Sequence, residues 1–171
     1  LEVALKNSKI GKLNAFIRAR MGMLFAHIGI AFLVLGVGVV SSYSSEKELI
    51  LKMGDSYNLD GYSFKFDSMS VERGPNYVSQ VAKIKITEGN NTTHLISEKR
   101  NYLASNQITT EAGIIAEVFK DYYVALGENI EGNRWSFRLQ IKPFVRWIWF
   151  GALLIALGSF ISSIGQLRRG L

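Results

Sequence analysis

Met21-Gly22-Met23-Leu24-Phe25-Ala26-His27-Ile28-Gly29-Ile30, continuing as Ala31-Phe32-Leu33-Val34-Leu35-Gly36-Val37-Gly38-Val39-Val40, is the stretch whose reading decides the fold. His27 is its one polar side chain. Uncharged residues from Met21 to Val40, at about 1.5 Å of rise each, reach about 30 Å as a helix and cross a bilayer core. An ionisable group inside such a span is costly and normally faces a bundle interior or serves a site. Two readings of His27 follow. It is a structural histidine hydrogen-bonded to a neighbouring helix, or it is a metal ligand, imidazole being the common protein ligand of haem iron. The residues alone leave both open.

Helical spacing of about 100° per residue puts Gly22, Gly29 and Gly36 on one stripe with Ala26 close by. His27 points nearly the opposite way, amid Met23, Leu24, Ile30, Ala31, Val34 and Gly38. Small residues let helix backbones approach closely in a membrane. The helix therefore has a close-packing edge and a histidine face, and reads as an interior helix of a larger bundle. A second apolar run, Phe144 to Ile164, carries Trp147 and Trp149 near Arg146, where amphipathic rings favour the membrane interface. It repeats the glycine spacing at Gly151, Gly158 and Gly165. Either the two helices pack on each other, or each packs on helices outside this chain.

The net charge of +6 over 171 residues is unevenly placed. Residues 1–20 carry Lys6, Lys9, Lys12, Arg18 and Arg20 against Glu2, and the tail carries Arg168 and Arg169. Between Ser41 and Arg146, bases and acids balance at thirteen each. Excess positive charge that flanks apolar spans marks cytoplasmic ends, so residues 42–143 should lie outside the cytoplasm. The same distribution argues against nucleic acid as a partner. With no cysteine there is no disulfide, thiolate metal site or thiol redox chemistry in the chain. The chain opens with Leu1, its first methionine is Met21, and no signal peptide is visible. We read it as a piece of a longer protein that begins inside a cytoplasmic loop. Ile10, Leu13 and Ile17 keep helical spacing, which fits a short basic amphipathic helix on the inner membrane face or a solvated linker.

After Val40 the pattern changes from solid apolar to alternating. Glu48–Lys52 reads as a strand before a turn at Gly54-Asp55. Tyr62, Phe64 and Phe66, then Ala82, Ile84 and Ile86, then Trp135, Phe137, Leu139 and Ile141 alternate with polar residues, the mark of strands with one buried face. Gly89-Asn90-Asn91 reads as a hairpin turn and Gly74-Pro75-Asn76 as a tight loop. Thr110 to Lys120 lacks alternation, which predicts a short helix or an irregular crossover. Pro143 closes the last strand and suits the first turn of the next helix. The fold class is thus membrane α plus extracytoplasmic all-β: two transmembrane helices flanking a small antiparallel β barrel or sandwich. The expected divisions are residues 1–20 as a cytoplasmic juxtamembrane segment, 21–41 as a span, 42–143 as the β domain, 144–165 as a second span and 166–171 as a cytoplasmic tail.

No nucleophile triad, phosphate loop or zinc- or calcium-spaced ligand cluster is present. His94, just past a turn, reads as a surface histidine. Glu98-Lys99-Arg100 reads as a solvated charged face, with contact to an anion such as a haem propionate as the alternative.

Several stretches together resemble a known family. Met23-Leu24-Phe25-Ala26-His27-Ile28-Gly29, Tyr43-Ser44-Ser45-Glu46, Gly74-Pro75-Asn76-Tyr77 and Glu98-Lys99-Arg100-Asn101-Tyr102 come first. Thr110-Glu111-Ala112, Asp121-Tyr122-Tyr123-Val124-Ala125-Leu126-Gly127-Glu128 and Lys142-Pro143-Phe144-Val145-Arg146-Trp147-Ile148-Trp149 follow in order. From Arg20 to Arg169 the series resembles the C-terminal part of the bacterial cytochrome c maturation haem lyases, the CcmF family. The resemblance implies a multi-pass inner-membrane protein with a periplasmic middle domain, taking part in thioether attachment of haem to apocytochrome c. It implies a transmembrane haem b held between two membrane histidines, the second in an Ala-His-x-Gly context that His27 matches. His27 is then both the cofactor-binding and the metal-ligand residue. In that mechanism the membrane haem keeps the transferred haem iron reduced while apocytochrome thiols add to its vinyl groups. Apocytochrome c, a haem chaperone, other maturation subunits and the lipid membrane are the implied partners. The family's tryptophan-rich periplasmic segment and first membrane histidine are not in this sequence, so the chain by itself is not expected to be catalytic. The rival reading is a non-catalytic membrane-anchored receptor or assembly subunit with an extracytoplasmic β binding domain, in which His27 is structural.

Overall fold

The computed structural model describes the backbone from Glu2 to Leu167, and the side chains of Ile17 and of residues 20–164. Contacts divide the chain into a helical unit, formed by the two ends, and a β unit, Ser42–Pro143.

The helical unit consists of α1 (Glu2–Tyr43) and α2 (Val145–Leu167). Within them, Arg20–Tyr43 and Val145–Ile164 are long and apolar enough to cross a membrane. The backbone of α1 is continuous from Glu2, so the helix expected before the span is part of α1 itself. The apolar face expected at Ile10 and Leu13 lies outside the described side chains. The glycine stripes meet each other, which decides the first of the two packings weighed above. A Cβ built on Gly22 would lie 2.5 Å from the Gly158 carbonyl oxygen, and one on Gly29 would lie 2.7 Å from that of Gly151. No side chain fits at such an approach, so glycine is required there. Further along, Phe32 packs edge-on to Phe150 with centroids 5.2 Å apart, and it contacts Trp147 at 5.3 Å.

The β unit is an antiparallel sandwich, not a closed barrel. Its strands are β1 (Ser45–Lys52), β2 (Ser56–Leu59), β3 (Tyr62–Arg73), β4 (Tyr77–Glu88), β5 (Asn91–Tyr102), β6 (Gln107–Glu111), β7 (Gly113–Ala116), β8 (Lys120–Glu131) and β9 (Arg134–Pro143). One sheet has the order β1-β9-β8-β7, the other β2-β3-β4-β5-β6. Inward positions follow the alternation in the sequence. Phe64, Phe66, Ala82, Ile84, Ile86, Trp135, Phe137, Leu139 and Ile141 are all buried in one core with Val124 and Leu126. Phe66 and Phe137 meet across the sheets with centroids 4.9 Å apart. Burying side chains of this size contributes about 1.5–3 kcal/mol each.

Of the two alternatives for Thr110–Lys120, the crossover holds and the short helix does not: β6 ends, the chain crosses from one sheet to the other at Ala112, and β7 begins. Edge strands of four or five residues carry too little alternation to announce themselves. Pro143 closes the last strand as expected, pairing with Lys120 at the end of β9, but it does not enter the next helix, which starts only at Val145. Phe144, at φ 59°, makes the break between them.

Candidate functional site

The helix contact buries Gly22, Gly29 and Gly36 and leaves the opposite face of α1 uncovered. His27 lies on that open face, among the exposed Met23, Leu24, Ile30, Ala31, Val34 and Gly38. Nothing lies within 4 Å of a Cβ built on Gly38, so space beside the helix is open at that level. The imidazole Nδ1 donates to the Met23 carbonyl one turn earlier, at 2.7 Å. A carbonyl only accepts, so Nδ1 carries a proton, and in the neutral ring the Nε2 lone pair is then left for another partner. Metal-ligating histidines characteristically direct their second ring nitrogen to a backbone carbonyl in this way. The donor chemistry and the small, apolar surroundings therefore fit an axial ligand to a flat macrocycle. Among the described residues no three His, Cys, Asp or Glu gather to hold a metal.

The charged residues singled out in the β unit are engaged within it. Glu98 accepts from Arg100 Nε and Ser79 Oγ, each at 2.9 Å. The Arg100 guanidinium also stacks over the Tyr77 ring at 4.6 Å. Lys99, nearly buried, pairs with Glu128 on β8. The anion-binding alternative for this pair is thus replaced by internal ion pairs, with partners too distant in sequence to be read beforehand. His94 is exposed, 3.9 Å from Asp67.

Two further polar features escaped the sequence reading. Ser97, fully buried, accepts from Leu126 N at 3.0 Å and donates to the Glu111 carbonyl at 3.2 Å, tying β5 to β8 and β6. Glu88 accepts from Tyr62 at 2.8 Å and from Lys120 at 2.9 Å, and Lys120 also bonds the Tyr62 hydroxyl. The Lys120 ammonium, with Tyr62, holds the Glu88 carboxyl below its ordinary range. Burial opposes the Lys120 charge, yet its bonds to Tyr62 and Glu88 raise it above the ordinary lysine value. A cleft of about 350 Å³ beside Glu88 is lined by Ile86, Asn91, Thr93, Ile115, Glu117 and Tyr122. No single serine or tyrosine in a strand signals such cross-sheet bonds.

Fold and site together define a class: an antiparallel β-sandwich carried between two membrane-length helices, the first presenting a histidine with a free Nε2. Residues 42–143 match the family described as the CcmF C-terminal β-sandwich, and the chain belongs to that family. It is 42% identical over 153 residues to the cytochrome c-type biogenesis protein CcmF of Pseudomonas aeruginosa, covering 89% of this chain and 23% of that protein. The CcmF of Haemophilus influenzae is also 42% identical over 153 residues, covering 89% and 24%. A solved structure titled cytochrome c heme lyase CcmF has the same fold, with TM-score 0.70 at 20% identity over 86% of this chain and 25% of that one. The chain thus spans about a quarter of the length of the curated relatives it matches.

Proposed function

We propose that this chain is the C-terminal portion of a membrane haem lyase in which His27 is one axial ligand of a transmembrane haem b. The observation that carries the reading is the Nδ1 bond to Met23, which leaves Nε2 as a lone-pair donor on an uncovered apolar face. In the span, His27 lies about 9 Å from Met21 along the helix axis. Met23, Leu24, Ile30 and Val34 keep water from that nitrogen, while Ala31 and Gly38 leave room for a planar group beside the helix. Haem bound there would supply an iron that passes single electrons. The opposite ligand, the remainder of the haem pocket and the residues that handle transferred haem belong to parts of the protein outside this chain.

The sandwich, residues 42–143, is read as a periplasmic docking scaffold for apocytochrome c, the haem chaperone or other maturation subunits. Residues 21–41 and 144–165 are its two membrane spans, and the basic ends, 1–20 and 166–171, stay in the cytoplasm of a bacterial inner-membrane protein. The similarity of the whole span to relatives named for cytochrome c biogenesis supports this reading. The test is cytochrome c maturation in cells whose full-length protein carries His27→Ala. Maturation should fall sharply while the membrane abundance of the protein stays near normal. Normal maturation would instead favour the assembly-subunit reading with a structural His27.

A further inference from the structure

Of the strands that end the two sheets, β2 and β7 have four residues, β6 has five and β1 has eight. Ser45 to Lys52 pair with β9 along their whole length, and β2, next in the chain, joins the other sheet. Short outer strands limit pairing with foreign chains, whereas a long one offers a template for it.

The last residue of β1 shows which of its backbone groups face outward. Lys52 N donates to the Asp55 carboxylate at 2.9 Å and Lys52 O accepts from Asp55 N at 3.0 Å, so both point away from β9. An antiparallel residue turns its N–H and C=O to one side, and successive residues alternate. Glu46, Glu48 and Ile50 therefore present theirs outward too. Where β8 outruns β7, the outward Leu126 N–H and C=O are met by the Ser97 and Thr110 hydroxyls. Among the described residues nothing does this for Glu46, Glu48 or Ile50.

A second copy of the chain fits this edge poorly. The antiparallel two-fold register that pairs all three outward residues sets Glu46 opposite Ile50 and one Glu48 directly opposite the other, a destabilising like-charge pair. The Glu46 and Glu48 carboxylates already share one guanidinium: Arg138 Nε lies 2.7 Å from Glu48 and 3.3 Å from Glu46. Acid is thus in excess on that face, while Leu49, packed on the core, and exposed Lys47 lie on the other.

We propose that β1 takes an extended segment of another polypeptide as an added antiparallel strand. Main-chain bonds to Glu46, Glu48 and Ile50 hold the segment, and its side chains select it. Basic residues belong opposite Glu46 and Glu48, apolar ones opposite Leu49 and Ile50, and an acid opposite Lys47. The proposal rests on reading the sandwich as a docking scaffold and is independent of the haem assignment.

The probe is a fluorescein-labelled peptide, Thr-Val-Leu-Lys-Glu-Lys-Thr, with the full-length protein in a neutral detergent. In register its valine faces Ile50 and its two lysines face Glu48 and Glu46. Fluorescence anisotropy should show saturable binding. N-methylation of the first lysine, whose N–H points at β1, should weaken binding about tenfold or more. N-methylation of the leucine, whose N–H points away, should leave it unchanged. Ile50→Pro should weaken binding as the methylated lysine does, since proline is tolerated where the N–H faces outward. Its melt by circular dichroism should match the parent; if it does not, the two methylated peptides decide alone. Binding indifferent to both methylations would sink the edge and leave the sandwich a scaffold that acts through another face. No binding to the parent protein would sink the edge and take with it the scaffold reading for extended partners. A dimer in light scattering that Ile50→Pro turned into a monomer would give the edge to a second copy and overturn the proposal.

Discussion

Glu98 shows how one side chain sets an acid response. Its carboxylate accepts from Arg100 and Ser79, and the Arg100 bond is the main cause that holds it below the ordinary 4.5. A carboxylate lowered on folding contributes stability that is fully present above its unfolded value. That contribution is lost as pH falls through the lower folded value. Thermal unfolding followed by circular dichroism should therefore be flat in this respect near neutrality and decline below about pH 4.5. Glu98→Gln should melt lower at neutral pH and decline less steeply in acid; parallel curves for the two proteins would contradict the argument. Phe137 makes a different kind of contribution. It is 1% exposed and packs on Phe66, so Phe137→Ala should cost about 3–5 kcal/mol in urea titration. Gln140, three residues on, turns its side chain to Glu46 near the surface and should change stability by about 0.5 kcal/mol or less when replaced by Ala.

Between α1 and α2, backbone proximity replaces side-chain interlock. A Cβ at Gly29 would lie 2.7 Å from the Gly151 oxygen and 2.8 Å from Ile155 N, both backbone atoms that cannot swing away. Gly29→Ile should therefore separate the pair. The check is disulfide formation between Phe32→Cys and Trp147→Cys, whose native rings are 5.3 Å apart. Efficient cross-linking should be lost in the Gly29→Ile background, and its persistence would mean that the glycine contact is not what joins the helices. These elements were legible for a physical reason. A seven-residue glycine period and a clean apolar alternation each specify one face: Phe64 and Phe66 on β3, Ala82, Ile84 and Ile86 on β4, and Trp135, Phe137, Leu139 and Ile141 on β9 are all buried. By contrast β6 and β7 are short and half-wet, so no period survives in them. Partners such as Lys99–Glu128 and Ser97–Leu126 N join residues 29 apart, and sequence alone does not reveal which distant strands become neighbours. For His27, helical spacing set it against the glycine stripe, but the Met23 bond that fixes its tautomer became visible only with the ring orientation.

At the scale of the whole molecule, the charge balance and the two apolar helices require a topology. Residues 42–143 should lie outside the cytoplasm, because the excess of basic residues flanks the spans at both ends. A membrane-impermeant thiol reagent on intact cells should label Asn91→Cys and spare Gly170→Cys. Labelling of Gly170→Cys with none at Asn91→Cys would reverse the orientation. The family assignment then gives the chain its place as one part of a larger membrane protein, about a quarter of the relatives' length. Within that part His27 is the group to which we assign a ligand role.

The most direct measurement is the reduced-minus-oxidised visible spectrum of the full-length protein with His27→Gly, taken with and without added imidazole. An axial His27 predicts that the b-type signal is lost or sharply weakened without imidazole. It should return in part when free imidazole enters the space left beside Met23, Ile30 and Ala31. A full b-type spectrum in His27→Gly without imidazole would contradict the account and leave the histidine a structural one.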